Sequence, residues 1–357
     1  MIDDYCGDKN LQNRDRERGE KNFTKIIQHL FAEPPVKKNA LIVEGCIDKK
    51  FSEQVFNPEN CACVPLNGID NVKYIFCNRP SGGKKTEDMA QALKDEECRR
   101  NINRLIRMRD NSRAIGFVDK DFRDPQPGQQ YLKDEYYPLF ETETTDMEIL
   151  LSKHGGLHFF LEKFCKGSQV KNIEKTLKRQ ASIPGFARSL NGKVSDENGK
   201  KITISYNSFK KPDGTSRFGD FLKTGKAMQC DEIKKCLEDD EKNKTGNKKA
   251  FFNTYAKKCP KRLKNCEDPW SMCQGHDTMN ILLILLGMLC HEGNFKDYNE
   301  KKLKEKILEQ FIQHKCFAQS SMIRQIMTWE KENRLSQPSM VDCGRLFRDC
   351  VYNAFDV

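Results

Sequence analysis

Two apolar runs that end in acidic residues decide the expected fold: LIVEGCIDKKF at 41–51 and AIGFVDKDF at 114–122. Each begins with a short, uncharged segment, which is typical of a strand buried on both faces of a sheet. Helical patterns lie between such segments along the first part of the chain. Strands that alternate with helices predict an α/β fold, in which a Rossmann-like parallel sheet is flanked by helices.

The elements expected around these runs extend to about residue 153. Strands are predicted at 40–43, 61–66, 114–118 and 139–141, and helices at 22–31, 48–55, 70–76, 88–108 and from Thr145 onward, with a loop at 79–85. From about residue 155 the pattern becomes mostly helical, with a polar insert at 191–220 that contains a possible strand, KITISY. We therefore expect an N-terminal helical segment at 1–38, a sheet-containing domain at 39–155 and a mostly α-helical C-terminal domain at 156–357.

Composition narrows the class of protein without deciding it. The formal net charge is +10, from 62 Lys and Arg against 52 Asp and Glu, which favours polyanions or acidic partners. The longest apolar run, 281–290, has ten residues, whereas a membrane-spanning helix needs about 20. The N-terminus is charged and has no apolar signal region. We expect a cytoplasmic protein without a membrane partner.

The sixteen cysteines are expected to be reduced in that compartment. No C-x-x-C is present, and Cys61 and Cys63 form C-x-C inside a predicted strand. Three further cysteines are seven residues apart, with prolines that are expected to break any helix through them: Cys259, Cys266 and Cys273, with Pro260 and Pro269. Small buried apolar side chains are favoured over a zinc site.

The segment VDKDF at 118–122 is the sharpest local feature. Residues i and i+2 of a strand point to the same side, so Asp119 and Asp121 aim their carboxylates at one place. Two carboxylates at such a short distance repel each other unless one is protonated or a cation lies between them. A hard cation such as Mg²⁺ is the usual partner of such oxygens. The alternative is a strand end with two solvated acids before a turn.

Glu44 follows the other apolar strand, and Gly45 permits a sharp turn into a helix that carries Asp48. The alternative here is a helix N-terminus with ordinary surface acids. The two strand ends together are stronger evidence for a functional site than either one alone, because parallel sheets place their functional residues at the carboxyl ends of strands. Glu44 and Asp119 are expected at that edge.

These residues resemble the Toprim family of topoisomerases, primases and OLD-type nucleases. That family has a glutamate after its first strand and D-x-D after a later one, and the OLD-type motif E-G-x-x-D is matched by EGCID at 44–48. The likeness is strongest to the AriB effectors of the PARIS anti-phage system. It is carried by LIVEG, AIGFVDKDF, ETETTDMEIL at 141–150 and GHDTMNILLILL at 275–286. It implies a Toprim catalytic domain at 39–155.

The resemblance also implies the site. Glu44, Asp119 and Asp121 would be catalytic and would bind a first Mg²⁺ or Mn²⁺, while Asp48 and Glu148 would help to hold a second. Asp146 competes with Glu148, although a helix-terminal acid is an equal explanation for it. Two such ions would activate water and neutralise charge on a phosphodiester. Possible phosphate contacts are Lys49, Lys84 and Lys85, whereas Lys120 is expected to point away from its aspartate neighbours.

The function that this resemblance implies is a Mg²⁺-dependent endonuclease that acts on nucleic acid, either transfer RNA or DNA, as an anti-phage effector. It also implies an ABC-type ATPase partner that holds the effector until infection. A homodimer through the C-terminal helices is a further hypothesis. The alternative function is a non-catalytic Toprim-like module that binds nucleic acid or protein and regulates it.

Other motifs carry less weight. SGGKKT at 81–86 lacks the spacing of a nucleotide-binding P-loop, so an intrinsic ATPase is not expected. His276 and Asp277 are better explained as the cap of a buried helix than as catalytic groups. Gly155 and Gly156 disfavour the helix that a metal-binding His154 and His158 would need. The lysine-rich stretch 242–264 is either a solvated connector or a phosphate-contacting patch.

Overall fold

The structure is a computed structural model that describes residues 38–58, 60–66, 68–77, 87–120, 139–196, 198–202, 209, 216–222, 229–239, 248–289, 295 and 298–333. Several predictions lie outside these residues: the N-terminal helix at 22–31, the loop at 79–85, the part of KITISY after residue 202, and helix beyond residue 333.

A four-stranded parallel sheet forms the centre of the described sheet region. Its strands are β1 (Asn39–Val43), β2 (Cys61–Pro65), β3 (Ala114–Val118) and β4 (Leu139–Glu141), in the order β2-β1-β3-β4. Leu41 pairs with Cys63 on one side and with Ile115 on the other, and β4 is parallel to β3. The predicted parallel sheet flanked by helices is confirmed.

Side chains along β1 and β3 alternate between two cores. Leu41 and Phe117 point into the larger core, which includes the C-terminal helices. Ala40 and Ile42 point into the smaller core on the opposite face. Gly116 is needed on that second face, because a Cβ there would lie 2.6 Å from the Phe76 ring. Both faces of the sheet are therefore covered, as expected for uncharged strands.

Helices α1 (Cys46–Val55), α2 (Ile69–Cys77), α3 (Glu87–Ala92) and α4 (Glu96–Asp110) connect the first three strands. The prediction of one helix over 88–108 is wrong, because the chain turns between α3 and α4. Asp95 caps α4 by accepting a hydrogen bond of 2.8 Å from the Cys98 amide. A side chain that satisfies a free amide at a helix start favours ending one helix and beginning another.

The region after β4 is mostly helical, as predicted. It contains α5 (Met147–Lys153), α6 (Gly156–Glu162), α7 (Gly167–Ser189), α8 (Phe218–Leu222), α9 (Cys230–Asp239), α10 (Lys249–Lys264), α11 (Gly275–Leu289), α12 (Glu300–Gln313) and α13 (Ser321–Glu332), with 3₁₀ helices at Pro269–Met272 and Cys316–Gln319. None of the described helices is long and apolar enough to cross a membrane.

No continuous helix runs through Cys259, Cys266 and Cys273, as predicted, because α10 ends at Lys264. The expected break at Pro260 itself is wrong, since α10 continues through that residue. Pro260 is exposed, whereas Phe251, Tyr255 and Cys259 are buried on the other side of the helix. Packing of that apolar face compensates for the missing backbone hydrogen bond. The connector interpretation of the lysine-rich stretch is likewise wrong for residues 249–264, which are helical.

The larger core continues across the domain boundary expected at residue 155. Leu150 before that point and Leu157 after it belong to the same buried cluster. Gly156 lies against α12 so closely that a Cβ would be 3.0 Å from the Ile307 carbonyl oxygen. The sheet and the following helices thus share one apolar interior.

Candidate functional site

Glu44 and Asp119 meet at the carboxyl edge of the sheet. Each follows the last residue of its strand, β1 and β3, which are adjacent and parallel. The Asp119 amide donates a hydrogen bond of 3.3 Å to Glu44 Oε2, across 75 residues of sequence. Strand order thus brings together two acids that the sequence placed at separate strand ends.

Asp48 joins them from the first turn of α1. Its Oδ2 accepts a hydrogen bond of 2.8 Å from the Gly45 amide, so the turn after Glu44 directs the Asp48 carboxyl group back toward the strand end. The side chain is buried. Burial, and then the charge of Glu44, raise the pKa of Asp48 to about 8.

Asp119 connects this group to α5. Its Oδ1 accepts a hydrogen bond of 3.0 Å from the Met147 amide, at the first turn of that helix. Burial, followed by the charges of Asp48 and Asp146, raises the pKa of Asp119 well above its ordinary value. The carboxylates are therefore close enough to oppose one another's ionisation.

Asp146 and Glu148 complete the acidic cluster, which we define as Glu44, Asp48, Asp119, Asp146 and Glu148. Asp146 is the N-cap of α5, and its Oδ1 accepts from the Ile149 amide at 3.0 Å. Burial, and then the charge of Glu148, raise the pKa of Asp146 well above its ordinary value. Asp146 therefore caps the helix, as one of its two explanations predicted, and it also lies in the cluster.

Glu148 is held by a lysine that the sequence analysis missed. Lys304 of α12 places Nζ 2.5 Å from Glu148 Oε1 and 2.6 Å from Glu300 Oε1. Burial alone would lower the pKa of Lys304, but the Glu148 and Glu300 carboxylates raise it above its ordinary value. The cluster therefore has a permanent positive charge at its edge. No local signal distinguishes Lys304 from the other lysines of α12.

His276 extends this ion pair network. Its Nδ1 lies 2.6 Å from Glu300 Oε1. Burial opposes ionisation of Glu300, but the hydrogen bond with His276 and the charge of Lys304 lower the pKa of Glu300 to about 2. His276 thus contacts the acidic cluster indirectly, through Glu300 and Lys304, rather than as a helix cap.

Asp277 also does not cap α11, which begins at Gly275. It forms a buried pair with Arg188 of α7, in which Arg188 Nη2 donates to Asp277 Oδ1 at 2.8 Å and Nε donates to Oδ2. The predicted cap is wrong because the larger core provides a buried cation for this acid.

Threonines of ETETTD brace the segment that leads to Asp146. Thr142 Oγ1 accepts from the Lys120 amide at 3.0 Å and donates to the Thr144 carbonyl at 2.8 Å. Thr144 Oγ1 donates to the Asp146 carbonyl at 2.8 Å. These bonds connect the end of β3 to the start of α5, and so fix Asp119 relative to Asp146.

The other residues singled out from the sequence are either placed outside the acidic cluster or not described by the structure. Asp121, Lys84 and Lys85 lie outside the described residues. Lys49 is buried and forms an ion pair of 2.5 Å with Glu53. His154 follows α5 and pairs with Glu143 at 3.2 Å, while His158 lies in α6. The two histidines therefore do not share a helix, as their intervening glycines indicated.

The donor set of the acidic cluster suits a hard divalent cation, because all its side chains offer carboxylate oxygens. Among the residues that the structure describes, no three His, Cys, Asp or Glu side chains are spaced to hold a metal ion. The carboxylates are held instead by backbone amides and by Lys304. A cation would relieve the repulsion that raises their pKa values, in competition with those donors.

Comparison with known proteins assigns no family to the whole chain. A family model described as CXCXC repeat matches residues 53–64, which include Cys61 and Cys63 of β2, and Pro65 stands where a third cysteine would follow. Burial, and then the charge of Glu330, raise the pKa of Cys61 to about 12, which fits a buried apolar role. No curated protein matches the chain.

Proposed function

We propose that the protein is a metal-dependent nuclease of the Toprim type whose active site is the acidic cluster. One observation carries this proposal: Glu44 and Asp119 lie at the carboxyl ends of adjacent parallel strands, and the Asp119 amide donates to the Glu44 carboxylate. Acids from two strand ends and two helix starts then form one cluster, in which Asp48 and Asp146 are buried and the other three are half-buried. A regulatory surface has no need of such acids, which repel one another.

Mg²⁺ or Mn²⁺ would be held by Glu44, Asp48 and Asp119, with Asp121 as a further ligand from the resemblance. Bound there, the ion would lower the pKa of water and neutralise charge on a phosphodiester. The chain positions the ligands: Gly45 orients Asp48, and the Met147 amide orients Asp119. Lys304 holds Glu148 and supplies a positive charge beside the cluster.

The substrate in this proposal is nucleic acid, for which the net charge of +10 is favourable. The likeness to AriB effectors adds transfer RNA as the first target to test, DNA as the second, and an ABC-type ATPase as the activating partner. It also supports a role in defence against phage. These finer parts rest on the motifs at 41–51, 114–122 and 141–150.

The decisive experiment compares wild type with Glu44→Gln, which keeps the side-chain shape and removes the charge. Total RNA, purified transfer RNA and supercoiled plasmid are incubated with Mg²⁺ or Mn²⁺, and in parallel with EDTA. We expect cleavage by wild type with metal and none with EDTA. The variant should lose at least about 100-fold, because loss of a residue that merely supports a metal ligand already costs about 10–100-fold. Glu96→Gln, an exposed acid of α4, is the matched control.

A parallel experiment in cells covers the case in which a partner is needed for activation. Expression of wild type during phage infection should be toxic, whereas Glu44→Gln should not be. Binding of nucleic acid without any cleavage, identical in wild type and Glu44→Gln under all conditions, would instead support a non-catalytic Toprim-like module.

A further inference from the structure

A groove of about 850 Å³ lies among α7, α9, α10 and the 3₁₀ helix Pro269–Met272. We name it the basic groove. Five of its lining residues are cations, namely Lys171, Lys175, Lys178, Arg179 and Lys264, and two are acids, Glu174 and Asp231. Glu174 also lies 3.4 Å from His158 Nδ1. The lining therefore has an excess of positive charge.

The cations of α7 form a row. Lys171, Lys175 and Lys178 are spaced at i, i+4 and i+7, which places them on one side of the helix. At about 1.5 Å of rise per residue the row is about 10 Å long. Lys178 is steadied by the Trp270 ring, whose centroid lies 5.2 Å from its Nζ. Such a row suits the repeated negative charges of a phosphate chain.

The lining of the basic groove also includes apolar residues, namely Ile183, Pro260, Leu263, Pro269 and Met272. A row of cations together with apolar side chains matches single-stranded nucleic acid, in which phosphates lie beside exposed base and ribose surfaces. A double helix keeps its bases stacked and paired and would offer this lining no base surface, and a wholly acidic peptide would leave it without an apolar partner.

A short segment connects the basic groove to the acidic cluster. Pro269 and Met272 line the groove, and the Gly275 amide, three residues later, donates to Asp146 Oδ2 at 2.6 Å. Between them, the Cys273 carbonyl accepts a hydrogen bond of 2.5 Å from Thr145 Oγ1. The segment also packs on α7, since a Cβ at Gly185 would lie 1.8 Å from the Met272 carbonyl oxygen.

We propose that the basic groove binds a single-stranded segment of the nucleic acid substrate and holds it next to the acidic cluster. This inference rests on the proposed function for the identity of the ligand as substrate. It assigns to the α10 end of the lysine-rich stretch, through Lys264, a phosphate contact made jointly with α7.

Binding is tested separately from cleavage, by fluorescence anisotropy of a labelled single-stranded RNA in EDTA. The variant K171E/K175E/K178E is compared with K257E/K258E/K261E, which makes the same change in charge on exposed lysines of α10 outside the groove lining. We expect the first variant to bind at least about tenfold more weakly. Its log–log salt slope should be smaller by about 2, for three lost phosphate contacts at about 0.7 each.

The control variant should change affinity less than threefold. Lys178 is half-buried on Trp270, so the double variant K171E/K175E, at two exposed positions, repeats the test if the triple variant fails to fold. Equal losses in the groove and control variants would overturn the proposal, because general charge would then explain binding. Displacement of the RNA by polyglutamate at equal charge concentration would also overturn it, in favour of an acidic peptide.

The two proposals fail differently. If RNA binds in the basic groove but Glu44→Gln cleaves as wild type does, the groove stands as a binding site and the nuclease assignment fails. If cleavage depends on Glu44 but K171E/K175E/K178E retains full affinity and activity, the nuclease stands and the groove proposal is wrong.

Discussion

Gly275 lies directly against Asp146, although 129 residues separate them in the sequence. Its amide donates a hydrogen bond of 2.6 Å to Asp146 Oδ2. A Cβ at Gly275 would lie 2.6 Å from Asp146 Oδ1 and 2.7 Å from Glu148 Cβ. The first residue of α11 thus forms part of the wall of the acidic cluster, and only glycine fits there.

Replacing Gly275 with alanine should therefore disturb both stability and activity. We expect the free energy of unfolding to fall by about 1–3 kcal/mol, as for overpacking of an interior, and nuclease activity to fall because Asp146 and Glu148 must move. Gly287→Ala is the matched control, since it lies in the same helix and its Cβ would meet nothing within 4 Å. That variant should be stabilised by up to about 1 kcal/mol. Urea denaturation measures both, and equal effects would contradict the packing argument.

The raised pKa of Asp48 predicts how stability changes with pH when no metal is added. Its folded pKa, about 8, lies above the ordinary value of 3.8, so between these values the folded protein holds a proton that the unfolded chain has released. The contribution of Asp48 to the free energy of unfolding is fully present below about pH 4 and is lost as the pH rises toward 8. Urea denaturation in EDTA should give a smaller free energy of unfolding at pH 8 than at pH 5.

Asp48→Asn should reduce that slope, because the amide is neutral throughout and its oxygen still accepts from the Gly45 amide. At pH 8 in EDTA we expect the variant to be more stable than wild type by at least about 1.4 kcal/mol, the equivalent of one pKa unit. Part of the pH dependence of stability should remain in the variant, because the pKa values of Asp119 and Asp146 are also raised. A variant less stable than wild type at pH 8 would show that Asp48 is not opposed by its neighbours.

The buried pair of Arg188 and Asp277 should give a strongly non-additive result. Arg188→Met leaves Asp277 buried without its bidentate partner and should cost about 3–5 kcal/mol. The double variant Arg188→Met/Asp277→Leu should recover most of this loss, because no buried charge remains. Additive effects in a double-mutant cycle by urea denaturation would contradict the importance of the pair.

Cys230 of α9 and Cys259 of α10 should form a disulfide under mild oxidation. Their sulfurs are 2.9 Å apart, compared with about 2.05 Å in a disulfide. The hydrogen bond with Cys259 lowers the pKa of Cys230, which favours the reactive thiolate. One hydrogen peroxide would oxidise the two thiols to a disulfide and leave two waters.

Peptide mass spectrometry without reduction should detect the Cys230–Cys259 pair after peroxide treatment, and Cys230→Ser should abolish it. Cys266 is the control, since its sulfur donates to the Asp268 carbonyl and lies 3.8 Å from Ser271 Oγ, rather than beside another cysteine. It should remain open to alkylation throughout. Cross-links formed at random among the cysteines would contradict the prediction.

The pattern of neighbouring residues along the chain was sufficient to predict the sheet and part of the acidic cluster. Apolar runs predicted β1 and β3, and Glu44, Asp48 and Asp119 follow them within a few residues, so strand ends and a helix start placed them at one edge. Prediction from the local sequence failed where capping or tertiary packing outweighed the intrinsic helix preference of the residues. Asp95 divides a region predicted as one helix, and the buried face of α10 carries that helix through Pro260.

By itself, the sequence determined that a parallel sheet forms and that acids follow its strands, because both properties depend on neighbours along the chain. Tertiary structure alone decided that Lys304 pairs with Glu148, that Gly275 contacts Asp146 and that Arg188 neutralises Asp277. Those contacts join residues that are far apart in the chain. The physical reason is that burial forces each charged or polar group to find a partner, and packing of the helices determines which partner is within reach.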